Sequence, residues 1–172
     1  MSSDLPFVAG EEVLYDIEYL MSKTWVSAGK VRFKVEDSIF KKHPCLYLEG
    51  KGRTLKNYDW FFKVRDKYAS FISKETLRPI HFIRRVREGD FQLDYKYDFN
   101  YKKNLAYISD YKKNETLHDT LEIINCSFDI MSSVYFSRAI NFNKYQKDDT
   151  IPLNIILDKK LYKNINIIYK GK

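Results

Sequence analysis

Apolar and polar side chains alternate along most of the chain, which is the pattern of β-strands with one buried face. Residues 13–19 show it first, and residues 25–35 repeat it, with Gly29 predicting a bend or bulge. The other runs of this kind cover residues 46–48, 64–73, 80–87, 91–100, 105–109, 117–124, 151–157 and 161–169. We therefore predict an all-β protein, with a strongly curved, mainly antiparallel sheet or an open barrel, in one domain over residues 1–172.

A different segment, residues 127–140, has the period of a helix. Its apolar side chains recur at intervals of three or four residues: Phe128, Met131, Val134 and Tyr135. Ser127 is the predicted N-cap of this helix, and Asp129 suits the first turn because a carboxylate there faces the positive end of the helix dipole. The predicted fold is thus all-β with one α-helix near residues 127–140.

The turn at Gly89-Asp90 determines the predicted register of the two strands around it. A two-residue turn with Gly in first position is typical of type II′. It places Val86 opposite Leu93 on one face and Arg85 opposite Asp94 on the other, so that apolar and charged pairs stay separate. A three-residue loop would mix apolar and charged partners on both faces, so we predict the two-residue turn.

This register places a cation, Arg84, on the otherwise apolar face, with Tyr95 and Tyr68 opposite it and Asp66 as its diagonal neighbour. An unpaired buried guanidinium is costly, so a partner is expected. Two interpretations remain open for Arg84, Asp66, Tyr68 and Tyr95. They line the mouth of a cavity that binds an anionic or polar head group, or they form a structural ion pair that fixes the register, which is the commoner role.

The charge of the chain narrows the class of partner only slightly. Thirty Lys and Arg against 23 Asp and Glu give a formal net charge of +7, which favours anionic partners in general. Many lysines come in pairs at predicted turns, as at residues 41–42 and 102–103, so solvated turn lysines explain the charge better than a nucleic-acid-binding patch. We expect no nucleic acid partner, and no apolar run is long enough to predict a transmembrane segment.

Aromatic residues make up 16% of the chain and are concentrated in residues 57–62. This segment is too aromatic for an ordinary solvated loop, so we predict that it covers one end of the core. The alternative is an exposed tip that contacts a partner or a membrane.

No pattern typical of an active site is found in the sequence. His43, His81 and His118 are scattered without the spacing of metal ligands, and no nucleophile motif occurs. The glycines of residues 50–53 lack the following helix that a phosphate-binding loop needs. We therefore predict no enzyme activity, no catalytic residue, no cofactor and no bound metal. The two cysteines, Cys45 and Cys126, either form one disulfide or are free thiols.

Four segments, residues 13–17, 59–66, 126–132 and 149–152, resemble a bacterial family of exported proteins that is catalogued as domain of unknown function family 3108. The resemblance runs through nearly the whole chain. It implies a curved antiparallel β fold in the periplasm or outer envelope, and no enzyme activity. It also implies a signal peptide, which the first residues do not show, so the cytoplasm is the alternative location. Family members continue beyond a segment like residues 169–171, so the chain is expected to be truncated at its C-terminus.

Our leading hypothesis from the sequence is a non-catalytic cell-envelope protein that binds an amphiphile or glycan inside its curved sheet. The polar end of that site would consist of Arg84, Asp66, Tyr68 and Tyr95. The alternative is a structural or assembly scaffold with a solidly packed interior, acting through its outer surface. The expected partners are a lipid or glycan ligand and a second copy of the chain, which would pair with an unpaired C-terminal edge strand.

Overall fold

The computed structural model describes residues 5–171, in which it has eleven strands, one α-helix and two 3-10 turns, at Lys56–Tyr58 and Phe142–Lys144. In chain order the elements are β1 (Glu12–Met21), β2 (Thr24–Phe40), β3 (His43–Thr54), β4 (Arg65–Ser73), β5 (Pro79–Glu88), β6 (Phe91–Asn100), β7 (Leu105–Tyr111), β8 (Thr116–Glu122), β9 (Ser127–Asp129), α1 (Ile130–Arg138), β10 (Thr150–Leu157) and β11 (Lys160–Ile168). The predicted all-β class with one helix is confirmed.

The first eight strands form one antiparallel sheet in chain order, with β1 and β8 at its two edges, so the sheet is not closed into a barrel. Side chains alternate between its two faces. One face, which we call the inner face, carries Leu48, Phe82, Tyr97 and Ile108, all fully or almost fully buried. The opposite face, which we call the outer face, carries most of the charged side chains of β2–β6.

A second layer covers the inner face. It consists of α1 and of a three-stranded sheet in the order β11-β10-β9, in which β9 pairs with β10 in parallel. Helix α1 packs against β3, β4 and β10, and its Met131 and Tyr135 join the same apolar cluster as the inner-face side chains. The core therefore lies between the main sheet and this second layer.

Close approach of α1 to β3 explains why glycine occupies position 50. A Cβ atom there would lie 3.1 Å from the sulfur of Met131 and 3.2 Å from the ring of Phe33. Gly50 is also in the regular interior of β3, which extends to Thr54, well beyond the predicted residues 46–48.

The start of α1 differs from the prediction by two residues. Asp129 is the N-cap, and its Oδ1 accepts hydrogen bonds from the backbone N–H groups of Met131 and Ser132. Ser127, the predicted N-cap, lies in β9, where its hydroxyl donates to the carbonyl of Ile124. Val134, placed in the predicted apolar stripe, is 44% exposed.

The predicted hairpin register around Gly89-Asp90 is confirmed. Arg84 faces Tyr95, Arg85 faces Asp94 and Val86 faces Leu93. Gly89 has a φ of 56°, as the first position of a type II′ turn requires.

The aromatic segment does not cover the core. Trp60 is 84% exposed and Phe61 is 78% exposed, at the tip of the connection between β3 and β4. The prediction of a buried lid was wrong, because hydrogen bonds within the connection hold these rings away from the sheet, as described below.

Three further predictions concern smaller features of the chain. Cys45 is buried and Cys126 is exposed, and both are free thiols. Strand β11 lies at an edge of the second sheet, and the dimer predicted through it stays a prediction. Within residues 5–171, no helix has the length and apolar character needed to cross a bilayer.

Candidate functional site

The four residues predicted as a ligand site lie where the sequence register placed them, but Arg84 has a different partner. Its side chain is 13% exposed on the inner face, 5.7 Å from the ring of Tyr68. It donates to the carboxylate of Asp158, 74 residues away at the tip of the β10–β11 hairpin. Burial opposes the charge of Arg84, but its interactions with Tyr68 and Asp158 outweigh burial and raise its pKa.

Asp66 was expected to pair with Arg84 and does not. Its Oδ1 accepts a hydrogen bond of 3.0 Å from the backbone N–H of Arg87 on the neighbouring strand. Tyr95 lies beneath the second residue of the hairpin tip, Lys159, whose ammonium nitrogen is 4.9 Å from the ring centre. The hairpin thus takes up space in front of Arg84.

A second ion pair joins the two sheets, and here the main sheet provides the carboxylate and the hairpin provides the cation. Asp110 is a buried inner-face carboxylate, and its Oδ2 lies 2.6 Å from Nζ of Lys159. The backbone N–H of Lys159 also donates to the hydroxyl of Tyr97 at 3.3 Å. Both tip residues have positive φ, 48° for Asp158 and 61° for Lys159, so the turn holds an unfavourable backbone conformation while it presents both charges to the main sheet. This geometry fits a structural role, and ligand binding by Arg84, Asp66, Tyr68 and Tyr95 stays a prediction.

The most concentrated charge lies on the outer face, where a cleft of about 440 Å³ crosses β1–β4. Six cations line it, in two rows that follow cross-strand neighbours. One row is Lys30, Arg53 and Arg65, and the other is Arg32, Lys51 and Lys67. We call this surface, which Asp66 also lines, the basic cleft. Strands are about 4.8 Å apart, and residues two apart on a strand about 6.7 Å, so the cations form a grid of about 10 Å by 7 Å.

A buried carboxylate lies beneath one of these rows. Glu49 is 5% exposed, and its oxygens lie 2.9 Å from Lys51, 3.0 Å from Arg32 and 3.1 Å from Lys67. Burial alone would raise the pKa of Glu49, but the hydrogen bonds from the surrounding side chains outweigh it and lower the pKa to about 2. Glu49 is therefore ionised at neutral pH and holds the three cations in place.

The carboxylates do not neutralise the cleft. The six cations contact four carboxylates: Glu12, Asp16, Glu49 and Asp59. A fifth carboxylate, Asp66, lines the cleft, so the cations are still in excess. Within residues 5–171, no carboxylate lies within ion-pair distance of the exposed guanidinium of Arg53, which has Lys30 and Arg65 as its cross-strand neighbours. The cleft is thus a surface with excess positive charge.

Sequence reasoning missed the basic cleft. The signal was present, because each of the three strands has cations at alternate positions: Lys30 and Arg32, Lys51 and Arg53, Arg65 and Lys67. Each pair by itself is typical of a solvated strand face. Only the register of β2, β3 and β4 shows that the pairs are adjacent.

Two other clefts lie at the margins of the second layer. One of about 310 Å³ is between Phe33 and Tyr135, with Arg138 at its rim already bound to Glu11. Another of about 460 Å³ is between β8 and β11. Among the residues that the structure describes, no group of three or more His, Cys, Asp and Glu side chains could hold a metal ion.

Comparison with known proteins gives a family and no function. The sequence model of a family described as "Protein of unknown function (DUF3108)" matches residues 14–172. No curated protein and no solved structure matches the chain.

Proposed function

Because the chain belongs to the DUF3108 family of proteins of unknown function, we propose a function from its own geometry: a non-catalytic binding protein of the bacterial cell envelope that holds a multivalent anion in the basic cleft. This develops the second sequence hypothesis, a protein with a packed interior that acts through its outer surface. The location in the envelope rests on the family resemblance alone.

One observation carries the proposal: cations face cations across β2, β3 and β4. Arg53 lies directly between Lys30 and Arg65, and Lys51 lies between Arg32 and Lys67. Like charges at directly opposite positions destabilise a sheet. Glu49 offsets this cost in the row of Arg32, Lys51 and Lys67. The cost remains at Arg53, which has a cation on both neighbouring strands. A bound anion would remove it, and this supports ligand binding as the reason for the arrangement.

The dimensions of the grid support a ligand with several negative charges. Two rows of three cations about 7 Å apart suit two or more phosphate or carboxylate groups in one molecule better than a single small anion. Both arginine and lysine are present, so bidentate and point-charge contacts are available. Phosphorylated or acidic glycans and phosphate-bearing head groups share this chemistry.

The interior site of the leading sequence hypothesis has less support. The guanidinium of Arg84 is already paired with Asp158, and Lys159 lies over Tyr95. A ligand there would have to displace the β10–β11 hairpin from the main sheet. The basic cleft is open and needs no such movement.

The test is calorimetric titration with a short linear polyphosphate at low and at physiological salt. We expect binding that weakens with salt, because exposed charges are screened within a Debye length of about 8–10 Å. The variant Lys51→Glu/Arg53→Glu should bind at least about tenfold more weakly, since it loses two charge-assisted contacts. The matched control is Lys102→Glu/Lys103→Glu, the same change of charge in the exposed β6–β7 turn.

The control variant should bind like the native protein. An equal loss of polyphosphate affinity in both variants would show that only the net charge of the protein matters, and it would contradict a binding site in the basic cleft. Absence of binding by the native protein at low salt would also contradict it.

A further inference from the structure

The exposed aromatic side chains are concentrated at one end of the main sheet. In an antiparallel sheet with its strands in chain order, the β1–β2, β3–β4 and β5–β6 connections lie at the same end. Both tryptophans of the chain are there, Trp25 at 65% and Trp60 at 84% exposure. We call this surface the aromatic end; its most exposed members are Tyr19, Leu20, Trp25, Trp60, Phe61 and Phe91.

The loop that carries Trp60 and Phe61 is held in shape by hydrogen bonds. The carboxylate of Asp59 accepts from the hydroxyl of Thr54 at 2.7 Å and from the guanidinium of Arg65 at 2.5 Å. The backbone N–H of Phe61 donates to the carbonyl of Tyr58 at 3.0 Å. These contacts direct the rings outward, so their exposure is built into the loop.

The other end of the loop is fixed to the β5–β6 turn. The N–H of Gly89 donates to the carbonyl of Lys63 at 2.9 Å, and the ring of Phe62 packs so closely that a Cβ atom at Gly89 would lie 3.2 Å from it. Two separate connections therefore present one aromatic surface. Trp60 and Phe61 make an edge contact there, with ring centres 5.9 Å apart.

We propose that the aromatic end inserts into the interface of a lipid bilayer that contains anionic head groups. Exposed rings on this scale are uncommon on a monomeric protein unless they contact something. Tryptophan and tyrosine favour the head-group level of a bilayer, where one part of the ring is apolar and another is wet. The surface consists of a loop and of strand ends that share one end of the sheet, so its rings can reach a flat bilayer together.

The charge at this end matches an anionic surface. Lys56 and Lys63 flank the aromatic loop and Lys23 lies in the β1–β2 turn, all three exposed. Lysines near an anionic membrane each contribute about 1 kcal/mol of attraction. The net charge of +7 acts in the same direction. The inference stands on these loops and does not need an anion in the basic cleft.

The test is co-sedimentation of the full chain with vesicles of phosphatidylcholine, with and without phosphatidylglycerol. We expect binding that is stronger with phosphatidylglycerol. The variant Trp60→Ala/Phe61→Ala should partition at least about tenfold more weakly into both. The matched control is Ile39→Ala, which removes an equally exposed apolar side chain at the opposite end of the sheet and should change nothing.

Fluorescence distinguishes insertion from electrostatic attachment. In the variant Trp25→Phe, the fluorescence of Trp60 should shift to the blue and be quenched by brominated acyl chains. Binding with no shift and no quenching would overturn the proposal, as would binding that Trp60→Ala/Phe61→Ala leaves intact. The variant Lys51→Glu/Arg53→Glu should keep its partition into phosphatidylcholine vesicles, whether or not the basic cleft binds polyphosphate.

Discussion

The contribution of the Asp129 carboxyl group to the stability of this protein should fall as the pH rises through the acid range. Asp129 is fully buried at the start of α1. Burial raises its pKa to about 6, although hydrogen bonds from the backbone of Ser132 and the hydroxyl of Ser70 act in the opposite direction. The folded protein therefore binds a proton at Asp129 more tightly than the unfolded chain does.

The size and sign of the effect follow from this difference in pKa. A change from 3.8 to about 6 corresponds to about 3 kcal/mol. The favourable contribution of the protonated carboxyl is complete below pH 4. It is lost as the pH rises from about 4 to about 6, and it is absent above pH 7. At neutral pH the buried carboxylate of Asp129 is ionised, and its desolvation lowers the free energy of unfolding.

The variant Asp129→Asn removes the charge and keeps the cap. Its side-chain oxygen can still accept from the N–H groups of Met131 and Ser132, and its amide can donate to Ser70. Urea unfolding followed by circular dichroism at several pH values gives the free energy of unfolding of both proteins. We expect the difference between variant and native protein to change by about 2–2.5 kcal/mol in favour of the variant between pH 4 and pH 7.

The comparison isolates one group, because all other titrating side chains are common to both proteins. Asp90→Asn is the control: the same isosteric change in an exposed turn, which should not alter the pH profile. A difference in unfolding free energy between native protein and Asp129→Asn that stays constant from pH 4 to pH 7 would refute the reasoning.

Local signals in the sequence were sufficient to predict strand pairing where a single turn determined the register of two strands. Gly89-Asp90 gave the correct pairing of β5 with β6, because only one alignment separates apolar from charged side chains. The partner of Arg84 was out of reach, because Asp158 is 74 residues away and its approach depends on how the β10–β11 hairpin folds over the main sheet. The same holds for the basic cleft, which exists only through the register of three strands.

The errors at α1 and at the aromatic loop arise from tertiary contacts that the local sequence pattern does not show. Ser127 and Asp129 are both good N-cap residues, and the parallel pairing of β9 with β10, which takes residues 127–129 into a strand, decides between them. The hydrophobicity of Trp60 and Phe61 favoured a buried lid. The hydrogen bonds of Asp59 with Thr54 and Arg65 hold the loop away from the core instead.

Two further predictions concern the charges of the two faces. Glu49→Gln should lower the free energy of unfolding at pH 7 by at least about 2 kcal/mol, because it leaves three cations without their common carboxylate. The pKa of Glu49 in the native protein is lowered to about 2, so the loss of stability in Glu49→Gln should be present above about pH 4.5 and shrink as the pH falls towards 2. A loss of unfolding free energy that persists at pH 2 in urea titrations would contradict this prediction. A double-mutant cycle of Arg84→Met with Asp158→Asn should give a coupling energy of about 1–3 kcal/mol by urea unfolding, and a value near zero would show that the pair does not join the two sheets.

The central claim is that binding takes place on the outer face and not inside the sheet, and amide chemical shifts measured during titration with a short polyphosphate test it most directly. The largest changes should fall on residues 30–32, 51–53 and 65–67, with residues 157–160 of the hairpin unaffected. Changes centred on Arg84, Tyr95 and the hairpin would place the anion in the interior and contradict the account.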